Sequence, residues 1–356
     1  MTVDTVGGVW QYALELSRGL SKAGVNVGLA TMGAPLSYSQ REELAGIQGI
    51  ELFEGTYALE WMQDPWEDVV RAGDWLLEIE ASFQPDIVHL NGYVHAALPW
   101  RTPVMVVGHS CVLSWWNAVK GEDVPNTWAP YEQAVTRGLR AAKLVVAPSL
   151  AMLSALRLHY GVTSGRVIYN GRSGSGLAPG LKSEFIFSAG RLWDEAKNLA
   201  ALDSAAEQLA WPVMVAGRQM HPDGHELRPG NLYVLGELTT SELNAQMSRA
   251  GIYAAPVLYE PFGLSILEAA LCGCALVLGD IPSLREIWGD SAIYVPPNDS
   301  GALAHELQDL INSPSKRTTC GAKALERAQW FTPERMLEGY LEAYAQVRKS
   351  HAALAH

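Results

Sequence analysis

Apolar residues in this chain gather into short runs, and between the runs lie longer stretches whose apolar positions recur every three to four residues. Short runs bounded by Gly, Pro or Asn read as buried strands, and recurrence near 3.6 residues reads as amphipathic helix. The pattern predicts strands at 28–31, 50–53, 87–90, 104–108, 144–147 and 166–169. Helices are predicted at 10–23, 64–83, 131–142 and 150–160, with a short one between 31 and 50, while 113–128 reads as a long connection. The pattern then restarts, with strands at 185–188, 212–216, 232–235, 252–258, 275–278 and 292–295. The helices of this second series are 198–209, 241–249, 263–272, 300–312, 314–328 and 333–349, the last capped by Thr332, and 280–283 reads as a turn. Short strands alternating with helices are the pattern of a parallel sheet covered on both faces, so the fold class is α/β.

The two series meet at residues 171–180, where Gly, Ser, Ala and Pro dominate. That is linker composition, and it places a domain boundary between residues 1–170 and 171–332. The length of 356 residues fits two cores better than one.

Composition narrows the class of partner. Apolar residues make up 48% and charged residues 18%, which is ordinary for a globular chain. With 26 basic against 38 acidic side chains the net charge is −12, which argues against nucleic acid or an anionic membrane as the main partner. Arg137, Arg140 and Lys143 are a local exception: they could line one basic helical face, which leaves peripheral membrane contact open. Cys272 and Cys274 stand too close for a zinc knuckle, and with Cys111 and Cys320 they read as free thiols in a reducing compartment. His221 and His225 have no third ligand near them, so no metal site is expected. The first residues carry no leader pattern, and the most apolar stretch, 262–281, is interrupted by Glu268 and Asp280. A cytoplasmic protein without a transmembrane segment is the expectation.

Ligands of parallel sheets bind at the carboxyl ends of strands. Glu260 lies in the loop after the strand 252–258, and Glu268 lies on the helix that follows. The amides of Gly263, Leu264 and Ser265 open that helix, where backbone N–H groups make an anion site. Two acids that accept from hydroxyls beside a bed of donors suit a phosphorylated sugar. Arg191 and Lys197 stand in the loop after the strand 185–188, either as cations for a diphosphate or in an ion pair with Asp194 or Glu195. His109 directly follows its strand, as a structural or a functional histidine. Gly7 and Gly8 precede a helix, forming a plain turn or letting the backbone approach a ligand closely. Trp115, Trp116 and Trp128 could stack on sugar rings or fill a core.

Taken in one order, Gly7, Gly8 and Val9, His109, Asn170 and Gly171, Gly190 and Arg191, Lys197, and the pair Glu260 and Glu268 resemble family 4 glycosyltransferases. The resemblance covers almost the whole chain, and its most specific part is Glu260, Pro261, Phe262, Gly263 and Leu264 followed by Glu268, which is similar to the family's E-x7-E element. It implies a GT-B fold, two Rossmann-like domains facing a central cleft, with the helix from Pro333 returning to the first. It also implies retaining transfer of a sugar from a nucleotide-sugar donor to a hydroxyl acceptor (a glycan, a lipid-linked or a small molecule), with neither metal nor cofactor. The family's roles then fall on Arg191, Lys197, Gly7, Gly8, Gly263, Leu264 and Ser265 for the diphosphate. Glu268 falls to the ribose, and Gly217, Leu235 and Gly236 to the base. His109 and Glu260 fall to the transferred sugar, and Trp10, Tyr93, Trp115 and Trp116 to the acceptor.

Two departures accompany the resemblance. Arg191 and Lys197 are one residue further apart than the family pattern, and Asn198 stands where Gly is common. The central first strand that should deliver Gly7 and Gly8 is nearly missing, with the expectation that the natural chain begins several residues upstream. The rival readings are a catalytically inactive nucleotide- or saccharide-binding protein and a GT-B sugar-nucleotide epimerase. The donor base, the sugar, the acceptor and the oligomeric state stay open.

Overall fold

The structure is a computed structural model that describes residues 1–220 and 229–352. His221 and His225 lie outside the described residues. The chain divides into two units, Met1–Gly171 with Pro333–His356, and Arg172–Thr332.

The first unit runs β1 (Thr2–Asp4), α1 (Gly8–Lys22), β2 (Val27–Met32), α2 (Tyr38–Ala45), β3 (Ile50–Glu54), α3 (Trp66–Phe83) and β4 (Val88–Leu90). It continues with β5 (Val104–Val107), α4 (Val112–Lys120), α5 (Ala129–Ala141), β6 (Leu144–Ala147), α6 (Leu150–Tyr160) and β7 (Arg166–Val167). Its strands form two parallel ladders, β1-β2-β3 and β4-β5-β6-β7. The first strand is short, three residues long. Thr2, Val3 and Asp4 pair with Ala30, Thr31 and Met32, and Thr2 and Val3 are buried. β-branched Thr and Val suit a buried strand, and Asn91 binds the other edge of β1, its Nδ2 donating to the Thr2 carbonyl at 2.7 Å.

The second unit runs β8 (Ser183–Ala189), α7 (Leu199–Ala206), β9 (Val213–Ala216), β10 (Tyr233–Val234), α8 (Thr240–Arg249), β11 (Ala250–Ala255) and α9 (Leu264–Leu271). Then come β12 (Ala275–Gly279), α10 (Pro282–Trp288), β13 (Ile293–Val295), α11 (Ser300–Asn312) and α12 (Pro314–Ala328). The strand order is β10-β9-β8-β11-β12-β13, all parallel. Counted within this unit it is 3-2-1-4-5-6, the doubly wound order, in which the connection reverses between β8 and β11. Ile186, Ile252, Val277 and Leu307 are fully buried between the sheet and its helices. The final helix, α13 (Pro333–Ala352), belongs to the first unit and lies against α1, with Leu337 over Gly19 and Tyr340 fully buried.

Three elements depart from the sequence pattern. The connection predicted over 113–128 contains α4, because Cys111 caps it through a sulfur that accepts from the Ser114 amide, and Gly121 closes it at φ 69°. The turn at 280–283 continues into α10, with Pro282 in the first helical turn, where its missing N–H costs nothing. The strand predicted over 252–258 stops at Ala255, since Pro256 has no N–H to continue the ladder. Among the described residues no helix is long and apolar enough to cross a membrane.

Candidate active site

The reversal between β8 and β11 determines where a ligand can sit in the second unit. The loop after β8 carries Arg191 and Lys197, and the loop after β11 carries Glu260. The two loops are stitched together: the Leu258 amide donates to the Ala196 carbonyl at 2.9 Å. Asn198, at φ 54°, donates through Nδ2 to the carbonyls of Pro256 and Pro297 at 2.8 and 2.7 Å. Asn tolerates this left-handed conformation, so the residue that replaces the family's usual Gly also latches the loop.

That latch brings Lys197 Nζ to 2.6 Å from Glu260 Oε2, both groups being partly buried. The lysine stem runs past Gly190, where a Cβ would sit in van der Waals contact with Lys197 Cε at 3.4 Å. Arg191 is the more exposed cation; its guanidinium donates to Asp194 at 2.8 Å and lies over the Trp193 ring. The ion-pair alternative for these two cations thus holds for Arg191, while Lys197 pairs across to Glu260.

A small open depression is lined by Ser188, Gly190, Lys197, Tyr253, Glu260 and Ser265. Gly263 precedes α9 at φ 88° and no side chain caps the helix, so nothing of the cap residue covers the amides of Leu264 and Ser265. A side chain at 263 would be strained at that φ and would meet Ile266 at 2.8 Å. On the other side of Glu260, Ser283 at the start of α10 donates to its carbonyl. Seven residues lie between Glu260 and Glu268, and Glu268 is buried on α9, where Arg172 Nε donates to its Oε1 at 2.7 Å. Arg172 and Glu268 are only 10% and 9% exposed. The sequence reading passed over Arg172, because its Gly- and Ser-rich surroundings read as linker.

Gly217, Leu235 and Gly236, the predicted base contacts, lie at the ends of β9 and β10. The Gly217 amide donates to the Gly236 carbonyl at 2.8 Å and the Leu235 amide to the Val215 carbonyl at 2.9 Å. Both N–H groups are therefore spent within the sheet end. Gly217 is itself obligatory, since a Cβ there would lie 1.8 Å from the Gly190 carbonyl.

In the first unit the corresponding strand ends carry Gly7 and Gly8 after β1, Asn91 after β4 and His109 after β5. Gly7 has φ 88° and both glycines are exposed, at the uncapped start of α1. His109 is partly buried; its Nε2 lies 2.9 Å from Asn91 Oδ1 and its ring meets the edge of Tyr12 at 4.5 Å. Burial pushes its pKa down to about 3, so it is neutral at physiological pH. Two acceptor candidates are corrected. Trp10 is buried with Nε1 on Glu43 at 2.8 Å, and Tyr93 is buried with its hydroxyl on the Ser110 carbonyl at 2.6 Å, so neither offers an open ring face. Trp115 and Trp116 are half-buried on α4, with ring centroids 6.1 Å apart. Asn91, the residue that joins β1 to His109, was not singled out from the sequence.

With both units and their strand ends described, the comparisons with known proteins add the following. The model described as Glycosyltransferase Family 4 matches residues 6–173, and that described as Glycosyl transferases group 1 matches residues 183–313. Among solved structures, sucrose-phosphate synthase from Thermosynechococcus elongatus superposes with a TM-score of 0.81 at 20% identity, covering 97% of this chain and 94% of that one. Anabaena HepE, solved in complex with UDP and glucose, gives a TM-score of 0.73 at 16% identity, covering 97% and 99%. The fold is of the GT-B class, and the two glycosyltransferase models between them match most of the chain. The O-antigen chain mannosyltransferase B of Escherichia coli is 32% identical over 117 residues, 33% of this chain and 31% of that protein. The phosphatidyl-myo-inositol mannosyltransferase of Mycolicibacterium smegmatis is 30% identical over 152 residues, 39% of each. The matched stretches span between about a third and two fifths of these curated relatives.

Proposed function

We propose that this chain is a retaining glycosyltransferase that moves a sugar from a nucleotide-sugar donor to a hydroxyl acceptor. The observation that carries the reading is the latched pair Lys197 and Glu260 at 2.6 Å, set beside the uncapped start of α9 at the reversal point of the sheet. Leaving-group departure builds negative charge on the diphosphate. Lys197, Arg191 and the α9 amides are the groups that stabilise it, so no metal ion is required. When the diphosphate takes Lys197, Glu260 is released to accept from the donor sugar's hydroxyls. Glu268, steadied by Arg172, accepts from the ribose. HepE was solved with UDP and with UDP-glucose, which supports a nucleotide sugar as donor and leaves the base of this chain's own donor open. His109 is assigned to the sugar and acceptor side, and Gly7 and Gly8, exposed at the start of α1, keep their assignment to the diphosphate.

The test is release of nucleotide diphosphate from UDP-, GDP-, ADP- and dTDP-sugars, with and without saccharide acceptors. One donor should support release that acceptor stimulates, and Glu260→Ala should abolish it. A chain that binds a nucleotide but releases none above background would instead be an inactive binder.

A further inference from the structure

The carboxyl end of the first unit's sheet holds a hydrogen-bonded chain that fixes the state of one imidazole. Asn91 has only one workable amide orientation. Its Nδ2 donates to the Thr2 carbonyl at 2.7 Å, and its backbone N–H donates to Thr2 Oγ1 at 2.9 Å. With the NH2 end held by a carbonyl, Oδ1 is the end that meets two imidazoles, His109 Nε2 at 2.9 Å and His89 Nε2 at 3.2 Å. An amide oxygen only accepts, so both histidines must carry their proton on Nε2. A neutral imidazole has one N–H, which leaves Nδ1 of each ring a bare acceptor.

His89 fits the same assignment. The Tyr344 hydroxyl of α13 lies 2.8 Å from His89 Nδ1, where it donates to the bare nitrogen. Tyr12 from α1 shares the Nε2 side of His89 at 3.4 Å and sets its ring edge against His109, while Tyr340 stacks on His89. Burial pushes the pKa of both histidines below the ordinary value, which keeps the two rings neutral.

We propose that Asn91 is a positioning residue that holds His109 as the Nε2–H tautomer, so that His109 meets a substrate hydroxyl through Nδ1 as an acceptor and not as a donor. The substrate is of the hydroxyl class, a sugar or acceptor OH that donates, and a phosphate oxygen is the wrong partner for that nitrogen. This rests on the assignment of His109 to the sugar and acceptor side. The seat of α13 reaches the same nitrogen indirectly, because Tyr344 and His89 brace the oxygen that Asn91 shares between the rings.

The experiment is long-range nitrogen–proton correlation NMR of the whole, histidine-labelled chain at neutral pH, joined to steady-state kinetics. The wild type should show His109 protonated on Nε2. Asn91→Leu, which removes the acceptor, should move it toward the Nδ1–H form and lower kcat roughly tenfold, while the donor KM changes far less. Asn91→Asp keeps an acceptor on Nε2–H and adds a charge, so it should retain the tautomer and raise the His109 pKa. Both variants lose the bond to the Thr2 carbonyl, so if they are unstable the wild-type spectrum alone decides the tautomer. An Nδ1–H signal in the wild type, or an unchanged tautomer and kcat in Asn91→Leu, would overturn the proposal. If no donor is turned over by the wild type, the transfer reading fails and the imidazole spectrum still decides the tautomer.

Discussion

Two partly buried acids of one motif are engaged by two cations, and each pair sets up a different expectation. The Arg172–Glu268 pair at 10% and 9% exposure is the better shielded. Removing one member of such a pair leaves the other's charge uncompensated. Arg172→Gln should therefore weaken nucleotide binding about tenfold, through a Glu268 carboxylate that is less fixed. Calorimetric titration with the nucleotide diphosphate checks this, and equal affinity would count against a shared role for the two. The neutral histidines give a stability window with a definite sign. His109 falls from an ordinary 6.5 to about 3, so on acidification below 6.5 the unfolded chain takes up a proton that the fold refuses. Stability is full above that pH and is lost as pH falls toward 3, at about 1.4 kcal/mol per pH unit per histidine. Glu60 runs the other way: burial pushes it up to about 7 from 4.5, so its contribution is lost as pH rises through that interval. Melting curves at pH 5 and 7 should show wild type losing more on acidification than His109→Gln, and parallel losses would contradict the buried neutral ring.

Elements decide how these side chains are held. Gly263 cannot accept a side chain without strain at φ 88° and a 2.8 Å approach to Ile266. Gly263→Ala should lower stability by roughly 1–3 kcal/mol and weaken donor binding, because the start of α9 shifts away from the Glu260 loop. Thermal unfolding with and without donor separates the two effects. Helices α6 and α11 were legible in the sequence to the residue, since Ser149 and Asp299 cap them with side chains that read as caps. Helix α4 was not, because a cysteine thiol does the capping, and α10 was not, because a helix opening on Pro282 resembles a turn. The site divides the same way. Glu260, Glu268, Arg191 and Lys197 could be read from residue type and spacing. Asn91 and Arg172 could not, since their partners lie 89 and 96 residues away and only the assembled sheet brings them together.

For the whole molecule, the two parallel-stranded units carry different equipment: cations, acids and an uncapped helix in residues 172–332, and a neutral histidine with an exposed Gly7 and Gly8 in the other unit. With Lys197, Arg191 and backbone amides proposed to serve the leaving group, turnover should be unchanged by EDTA, and a requirement for added divalent cation would contradict that assignment. The central claim is transfer with retention by the Lys197 and Glu260 pair, and the anomeric proton of the glycosylated product tests it most directly. Proton NMR during turnover should show the product formed with the donor's own anomeric configuration, and no product with Glu260→Ala. A product of opposite configuration, or undiminished transfer by Glu260→Ala, would contradict the account.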